Sequence, residues 1–326
     1  MINRQIQKCP SLSSRAKRGI CFFLAAVAFS ALLSGHVAAE EIPQRPRILG
    51  IEGVTIYVSN INDARAFYHE VFEDLPKGCR KCKQQLLDLN ISLNRFQSIL
   101  LSPSPSTTPP NLIREITFWT DNVAALRRYL AANKVDVGTP TGPKVKYLSV
   151  TDPQGHKISF LETAGVLKDP KVTAIQARGG YEHEIIHAGF IVHDRADVEH
   201  FYKDILGFRP YWHGGMKDDQ TDWVSMQVPD GVEWLEFMVN VPAEADRQLR
   251  GVMNHIAIGA TDIQAAQKKL IDKGIKLTEE PQIGRDGKSQ LNLYDPDDTR
   301  VEFMEFKPTQ KPCCSEFTGP HPGPKQ

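Results

Sequence analysis

HAGFIVHDRADVEHFYKDILGF, residues 187–208, opens as an apolar strand, crosses a short polar turn and continues as an amphipathic helix. The same order recurs three more times, as GVTIYVSNINDARAFYHEVF from Gly53, EITFWTDNVAALRRYLAANKV from Glu115 and HIAIGATDIQAAQKKLIDKGI from His255. In every copy the residue that opens the predicted helix lies eight positions after the one that opens the strand: Ile61 after Gly53, Val123 after Glu115, Arg195 after His187 and Ile263 after His255. A fixed internal period of this kind marks a repeated structural unit.

Working outward, each helix is followed by segments that read as two or three further strands, such as QLLDLNISL then QSILLSP, or WVSMQV then WLEFMV. Two copies close on a turn and a strand, TDPQGHKISFLE and YDPDDTRVEFME, with Asp-Pro opening the turn. The units pair by spacing, one pair over residues 49–163 and the other over 184–307, joined by a Gly-, Pro- and charge-rich linker at 164–183. The stretch 308–326, PTQKPCCSEFTGPHPGPKQ with its Pro and Gly content, reads as a disordered tail.

The first thirty-nine residues carry five basic and no acidic side chains, then an apolar run from Ile20 to Leu33 and Val37-Ala38-Ala39. That run is shorter than the about 20 residues a membrane span needs, so 1–39 reads as a cleaved export signal and the product as periplasmic or secreted, with no stable membrane insertion. Removing it changes 39 basic against 39 acidic residues to 34 against 39, a net charge of minus five. An acidic chain is no nucleic-acid binder; a small-molecule substrate is the expected partner, and a homodimer is compatible with the sequence. Of six cysteines, Cys9 and Cys21 leave with the signal. Cys79 and Cys82 fit a small disulfide or free thiols better than zinc or redox chemistry, because no second pair with zinc spacing follows. The pairing of adjacent Cys313 and Cys314 is left open, in a compartment that permits disulfides.

Divalent metals need three or four nitrogen or oxygen donors converging from separate strands. The third and fourth units open with His187 and His255 at the same repeat position, although the chain has only ten histidines. Their closing strands, WLEFMVN and RVEFMEF, match Glu236 with Glu302. A carboxylate between apolar strand neighbours needs a cation or hydrogen-bond donors. Small residues beside the histidines, Gly189 and Ala257, leave room for a cavity. The first pair has Gly53, Glu115, Ser159 and, aligning Pro103 with Pro242, Gln97 at the same places, which reads as a scaffold or substrate-cover domain without metal.

The four units, the FYKDILGF helix end and the Asp-Pro turn before a Val-Glu strand resemble the vicinal oxygen chelate superfamily, which includes glyoxalase I, extradiol dioxygenases and bleomycin and fosfomycin resistance proteins. The resemblance implies an α+β fold of four βαβββ modules paired into two cupped mixed sheets, with one divalent ion (zinc, nickel, manganese or iron) held by His187, Glu236, His255 and Glu302. The spacings 49, 19 and 47 between those four follow the ligand order of glyoxalase I. By that resemblance the metal holds two adjacent substrate oxygens and stabilises an enediolate, with Glu302 as first and Glu236 as second candidate base. Asn240 would bind substrate, while Ile191 stands where glyoxalase I has an arginine, which speaks against glutathione. The rival reading is an extradiol dioxygenase with His187, His255 and Glu302 as its iron triad. It lacks the tyrosine expected at Asn292 and any histidine between His255 and Glu302. A third reading is an exported binding protein of resistance type, with Trp212, His213, Trp223 and Trp234 lining the cup.

Overall fold

The computed structural model describes residues 43–72, 89–94, 96–105, 111–138, 146–163 and 183–324. The signal at 1–39, the Cys79 and Cys82 pair and the linker up to residue 182 lie outside them. Among the described residues no helix is long and apolar enough to cross a membrane.

The unit helices start at the residues the repeat indicates: α1 is Ile61–Phe72, α2 Val123–Ala132, α3 Arg195–Glu199 continuing as π-type turns over His200–Ile205, and α5 Ile263–Asp272, while a short α4, Arg247–Met253, precedes the fourth unit. The cause is local. An Asn or Asp stands before each unit helix, and its side-chain oxygen accepts first-turn N–H groups: Asn60 from Asn62 and Asp63, Asn122 from Ala125, Asp194 from Asp197, and Asp262 from Gln264 and Ala265.

The strands form two sheets. Units one and two contribute β1 (Ile48–Val58), β2 (Asn90–Ser92), β3 (Ser98–Pro103), β4 (Ile113–Thr120), β5 (Tyr147–Thr151) and β6 (Lys157–Glu162), in the order β2-β3-β1-β4-β6-β5. Units three and four contribute β7 (Ile185–Ile191), β8 (Arg209–Gly214), β9 (Trp223–Gln227), β10 (Trp234–Met238), β11 (His255–Ala260), β12 (Gln282–Ile283), β13 (Ser289–Tyr294) and β14 (Arg300–Glu305), in the order β12-β13-β14-β11-β7-β10-β9-β8. In every unit the opening strand runs parallel to the closing one, and the two opening strands of a pair meet antiparallel at the sheet centre. These are the curled mixed sheets of an α+β fold. Thr55 faces Glu115 in one sheet as Gly189 faces His255 in the other, so the two pairs share one register.

That register corrects one alignment. Gly53 pairs with Ser98 where His187 pairs with Trp234, which puts Leu100, not Gln97, at the place of Glu236. The prolines used to align the two strands are not equivalent, because the loop after β10 is longer. Gln97 is buried for another reason: its amide donates to the Ile51 and Ile185 carbonyls and accepts from the Ile185 N–H, which stitches one sheet to the other.

Two reciprocal contacts show why the helix tyrosine and the Asp-Pro turn recur. Tyr68 of α1 donates to Asp295 at 3.1 Å, and Tyr202 of α3 donates to Asp152 at 3.2 Å. In both turns the other carboxylate oxygen accepts two backbone N–H groups, from Asp297 and Thr299 or from Gln154 and His156. Aromatic pairs Phe118–Phe208 and Phe72–Phe303 join the same continuous core.

The tail is not disordered. It runs from the β12–β13 turn, where Thr309 and Cys313 N–H groups donate to Gly287 and Arg285 carbonyls, to the opposite outer strand β8, where Ser315 and Thr318 bond the backbone of His213 and Tyr211. Phe317 packs on Tyr211 and Trp212, His321 meets the Tyr211 hydroxyl at 2.6 Å, and Cys313 and Cys314 form a disulfide. An extended Pro-rich chain lacks internal hydrogen bonds, and here two sheet edges supply them.

Candidate metal centre

His187, Gly189, His255 and Ala257 lie on adjacent central strands, with Glu236 on β10 beside β7 and Glu302 on β14 beside β11. Parallel pairing sets Glu236 level with Gly189 and Glu302 level with Ala257, so both carboxylates flank the histidine pair. The four side chains converge: His187 Nε2 to His255 Nε2 is 2.9 Å, His255 Nε2 to Glu236 3.2 Å, and His187 Nε2 to Glu302 3.4 Å. Both histidines are fully buried; the Glu302 side chain is 2% exposed and that of Glu236 15%.

Gly189 is required by this packing. A Cβ there would meet His255 Cε1 at 1.9 Å. The small residue expected to open a cavity instead admits the imidazole of the neighbouring strand. Behind His187 the Trp234 ring packs at 4.6 Å, and His187 Nδ1 is buried without a hydrogen-bond partner.

Electrostatics favour the ligand forms. Burial, then Arg300, pushes the His255 imidazole down to about 4, so it is neutral at pH 7. Burial opposes ionisation of Glu302, but Arg300, 4.0 Å away, and the two imidazoles outweigh it and hold the carboxyl down at about 2. For Glu236 burial is likewise outweighed, first by the hydrogen-bond contact with His255. Two ionised carboxylates thus face two imidazole nitrogens that can share only one proton. A divalent cation resolves that arrangement, and the oxygen and nitrogen donors fit one.

A cavity of about 330 Å³ opens on Glu236 and Glu302, walled by Trp212, Trp223, Met238, Met253, Arg285 and Arg300 among others. Trp212 and Trp223 stack with ring centres 6.5 Å apart. Other expected lining residues are elsewhere. His213 alternates with Trp212 on β8, so its ring is exposed outside the cavity. Asn240 sits in a turn with φ +62, and its amide donates to Thr221 O and Asp222, away from the cup. Trp234 is buried behind the histidine and does not line the cavity. Arg300 was missed, although it stands two residues before Glu302 on the same strand face. Lys288 and Asp286 were also missed, and no periodic signal marks them.

In the first pair, Glu115 takes the place of His255 and is met by Ser159 and Tyr147 hydroxyls at 2.5 Å and by Lys157 at 2.9 Å. These contacts hold its carboxyl below the usual range although burial opposes them. Lys157 precedes Ser159 by two residues, as Arg300 precedes Glu302, and its ammonium supplies the positive charge. Among the described residues the first pair has no cluster of three metal donors. Asp218 with Cys313 and Cys314 is also compact, but both sulfurs are in the disulfide.

Residues 184–303 match the model of the Glyoxalase/Bleomycin resistance protein/Dioxygenase superfamily. Solved structures similar to the chain include an extradiol ring-cleaving dioxygenase from B. fuscum (16% identity, 86% of this chain and 76% of that chain covered, TM-score 0.54). Homoprotocatechuate 2,3-dioxygenase from Arthrobacter globiformis is 15% identical over 81% of each chain, with a TM-score of 0.53. The 2,3-dioxygenase LapB from Pseudomonas sp. KL28 is 13% identical, with 87% of this chain and 96% of that chain covered and a TM-score of 0.53. Likeness at such identities is likeness of fold. No curated protein matches the chain in sequence.

Proposed function

We propose, from the match of residues 184–303 to the Glyoxalase/Bleomycin resistance protein/Dioxygenase superfamily, that the chain is a metal-dependent enzyme of the vicinal oxygen chelate type acting on a small substrate with adjacent oxygens, by proton transfer of the glyoxalase kind. His187, Glu236, His255 and Glu302 hold one divalent ion. When bound, it supplies Lewis-acid polarisation of the two oxygens and acidifies the neighbouring C–H.

The observation that carries this reading is the proton inventory of the cup. Among the described residues its lining offers Glu236, Glu302 and Asp286 and contains neither histidine nor tyrosine. Glu236 is the better proton carrier. Its carboxylate is the more exposed of the two and faces the cavity, with Ser225 donating to its other oxygen at 3.4 Å. Glu302, first choice from the sequence, is almost wholly buried beside Arg300 and stays ionised as a donor. Trp212 and Trp223 wall off water, and Arg300 faces the charge that develops on a deprotonated substrate.

A second reading, ring cleavage of a catechol with molecular oxygen, is favoured by the dioxygenase folds and by His187, His255 and Glu302 as a two-histidine, one-carboxylate triad. Glu236→Gln separates the two. Proton transfer predicts that the variant keeps its metal and loses at least about 100-fold in turnover on a substrate the wild type converts. Turnover near wild type with oxygen consumption would hand the site to the dioxygenase reading, and bound metal without turnover of any chelating substrate would favour a binding protein.

A further inference from the structure

Lys288, just before β13, is fully buried, and its ammonium has no hydrogen-bond partner. Lysine is almost never buried without a compensating group. Three aromatic rings enclose this one: Trp234 with its centre 4.1 Å from Nζ, Phe317 at 5.2 Å and Tyr211 at 5.5 Å. Such rings attract a cation through their electron-rich faces. Phe317 comes from the docked tail, so the tail completes the cage. Trp234 is also the ring that packs on His187. Burial pushes the ammonium down to about 8, while the negative charges of Asp286, Glu236 and Glu302 support it, so it is charged at pH 7.

We propose that Lys288 is a positioning residue: a fixed positive charge, caged behind the metal ring, that matches the centre to a monoanionic substrate bearing adjacent oxygens. The inference rests on the metal reading above. Around the site lie three carboxylates, Glu236, Glu302 and Asp286, against Arg300, Lys288 and a divalent ion, while Arg285 on the cavity wall is cancelled by its ion pair with Asp218. That set leaves one net positive charge, which a singly deprotonated chelating substrate neutralises. Without Lys288 the set is neutral, and a singly charged anion leaves a net negative site on entering. The same charge repels the metal, so its role is to weaken metal binding somewhat in favour of the substrate.

The role has signs that damage to the fold would not produce. Lys288→Met keeps length and shape but removes the charge. The metal-free variant should melt no lower than wild type, because a buried unpaired charge is gone. At pH 7, cobalt(II) or zinc(II) affinity by chelator competition should rise on the order of 100-fold, the scale for a unit charge and a divalent ion separated by roughly 10 Å of protein. Affinity of the cobalt form for glycolate, a monoanion with adjacent oxygens, followed in the visible spectrum, should fall by about tenfold. Lys288→Arg should keep both constants near wild type, and Lys288→Gln carries the same test if the Met variant does not fold. Unchanged or weaker metal binding in the neutral variants, or unchanged glycolate affinity, overturns the proposal while leaving the metal site standing. A wild type that binds no metal overturns both.

Discussion

Gly189→Ala is a one-methyl change with a large expected consequence. The added Cβ would stand 1.9 Å from His255 Cε1, 2.4 Å from Nδ1 and 2.5 Å from Nε2, and ordinary contact begins at 3.4 Å. The imidazole must therefore retreat by about 1.5 Å, or β7 and β11 must part, and a misplacement on that scale is enough to cost about 100-fold. We expect metal affinity, measured by chelator competition, to fall by about 100-fold or more. Overpacking should also cost the metal-free protein about 1–3 kcal/mol. Secondary structure by circular dichroism should be retained, since only one ring is displaced. Wild-type metal affinity in a folded Gly189→Ala protein would refute the convergence of His187 and His255 on one ion.

The reciprocal locks between the two pairs make further predictions. Tyr68→Phe and Tyr202→Phe each remove one hydroxyl donor from a buried carboxylate that keeps its backbone N–H contacts, and each should cost about 1–2 kcal/mol, measured by urea unfolding; losses within about 0.3 kcal/mol of zero would show that the locks are ornamental to the fold. Asp295 also gives a pH dependence. Burial raises its carboxyl from 3.8 to about 7, so the folded chain holds a proton that the unfolded chain releases near pH 4. Its contribution to stability is therefore fully present below about pH 4 and is lost as pH rises to about 7. Asp295→Asn should gain stability relative to wild type across that window, and a difference in melting temperature that does not vary with pH would contradict it.

What the sequence made legible follows from periodicity. The eight-residue offset located all four helix starts, because an Asn or Asp cap stands at the same repeat position each time. Strand alternation brought His187, Glu236, His255 and Glu302 to neighbouring strands, since equivalent positions in paired units share a register. Reasoning failed where geometry is not periodic. Gln97 was matched through a proline in a loop whose length differs between the pairs, and Asn240 through spacing that ignores a left-handed turn. His213 was grouped with Trp212, although neighbours on a strand face opposite ways. Counting Pro and Gly in 308–326 hid the anchors Phe317, Cys313 and His321. Lys288 escaped because its cage draws on β8, β10 and the tail, which no spacing rule connects.

Elemental analysis of protein purified without a metal-affinity tag tests the account most directly, run on wild type, Glu115→Ala and the double variant His187→Ala with Glu302→Ala. Wild type and Glu115→Ala should each carry one divalent ion per chain. The double variant should stay folded and carry none, because two of the four donors have been removed from one ring. No metal in the reconstituted wild type, two per chain, or undiminished metal in the double variant would contradict a single centre at His187, Glu236, His255 and Glu302.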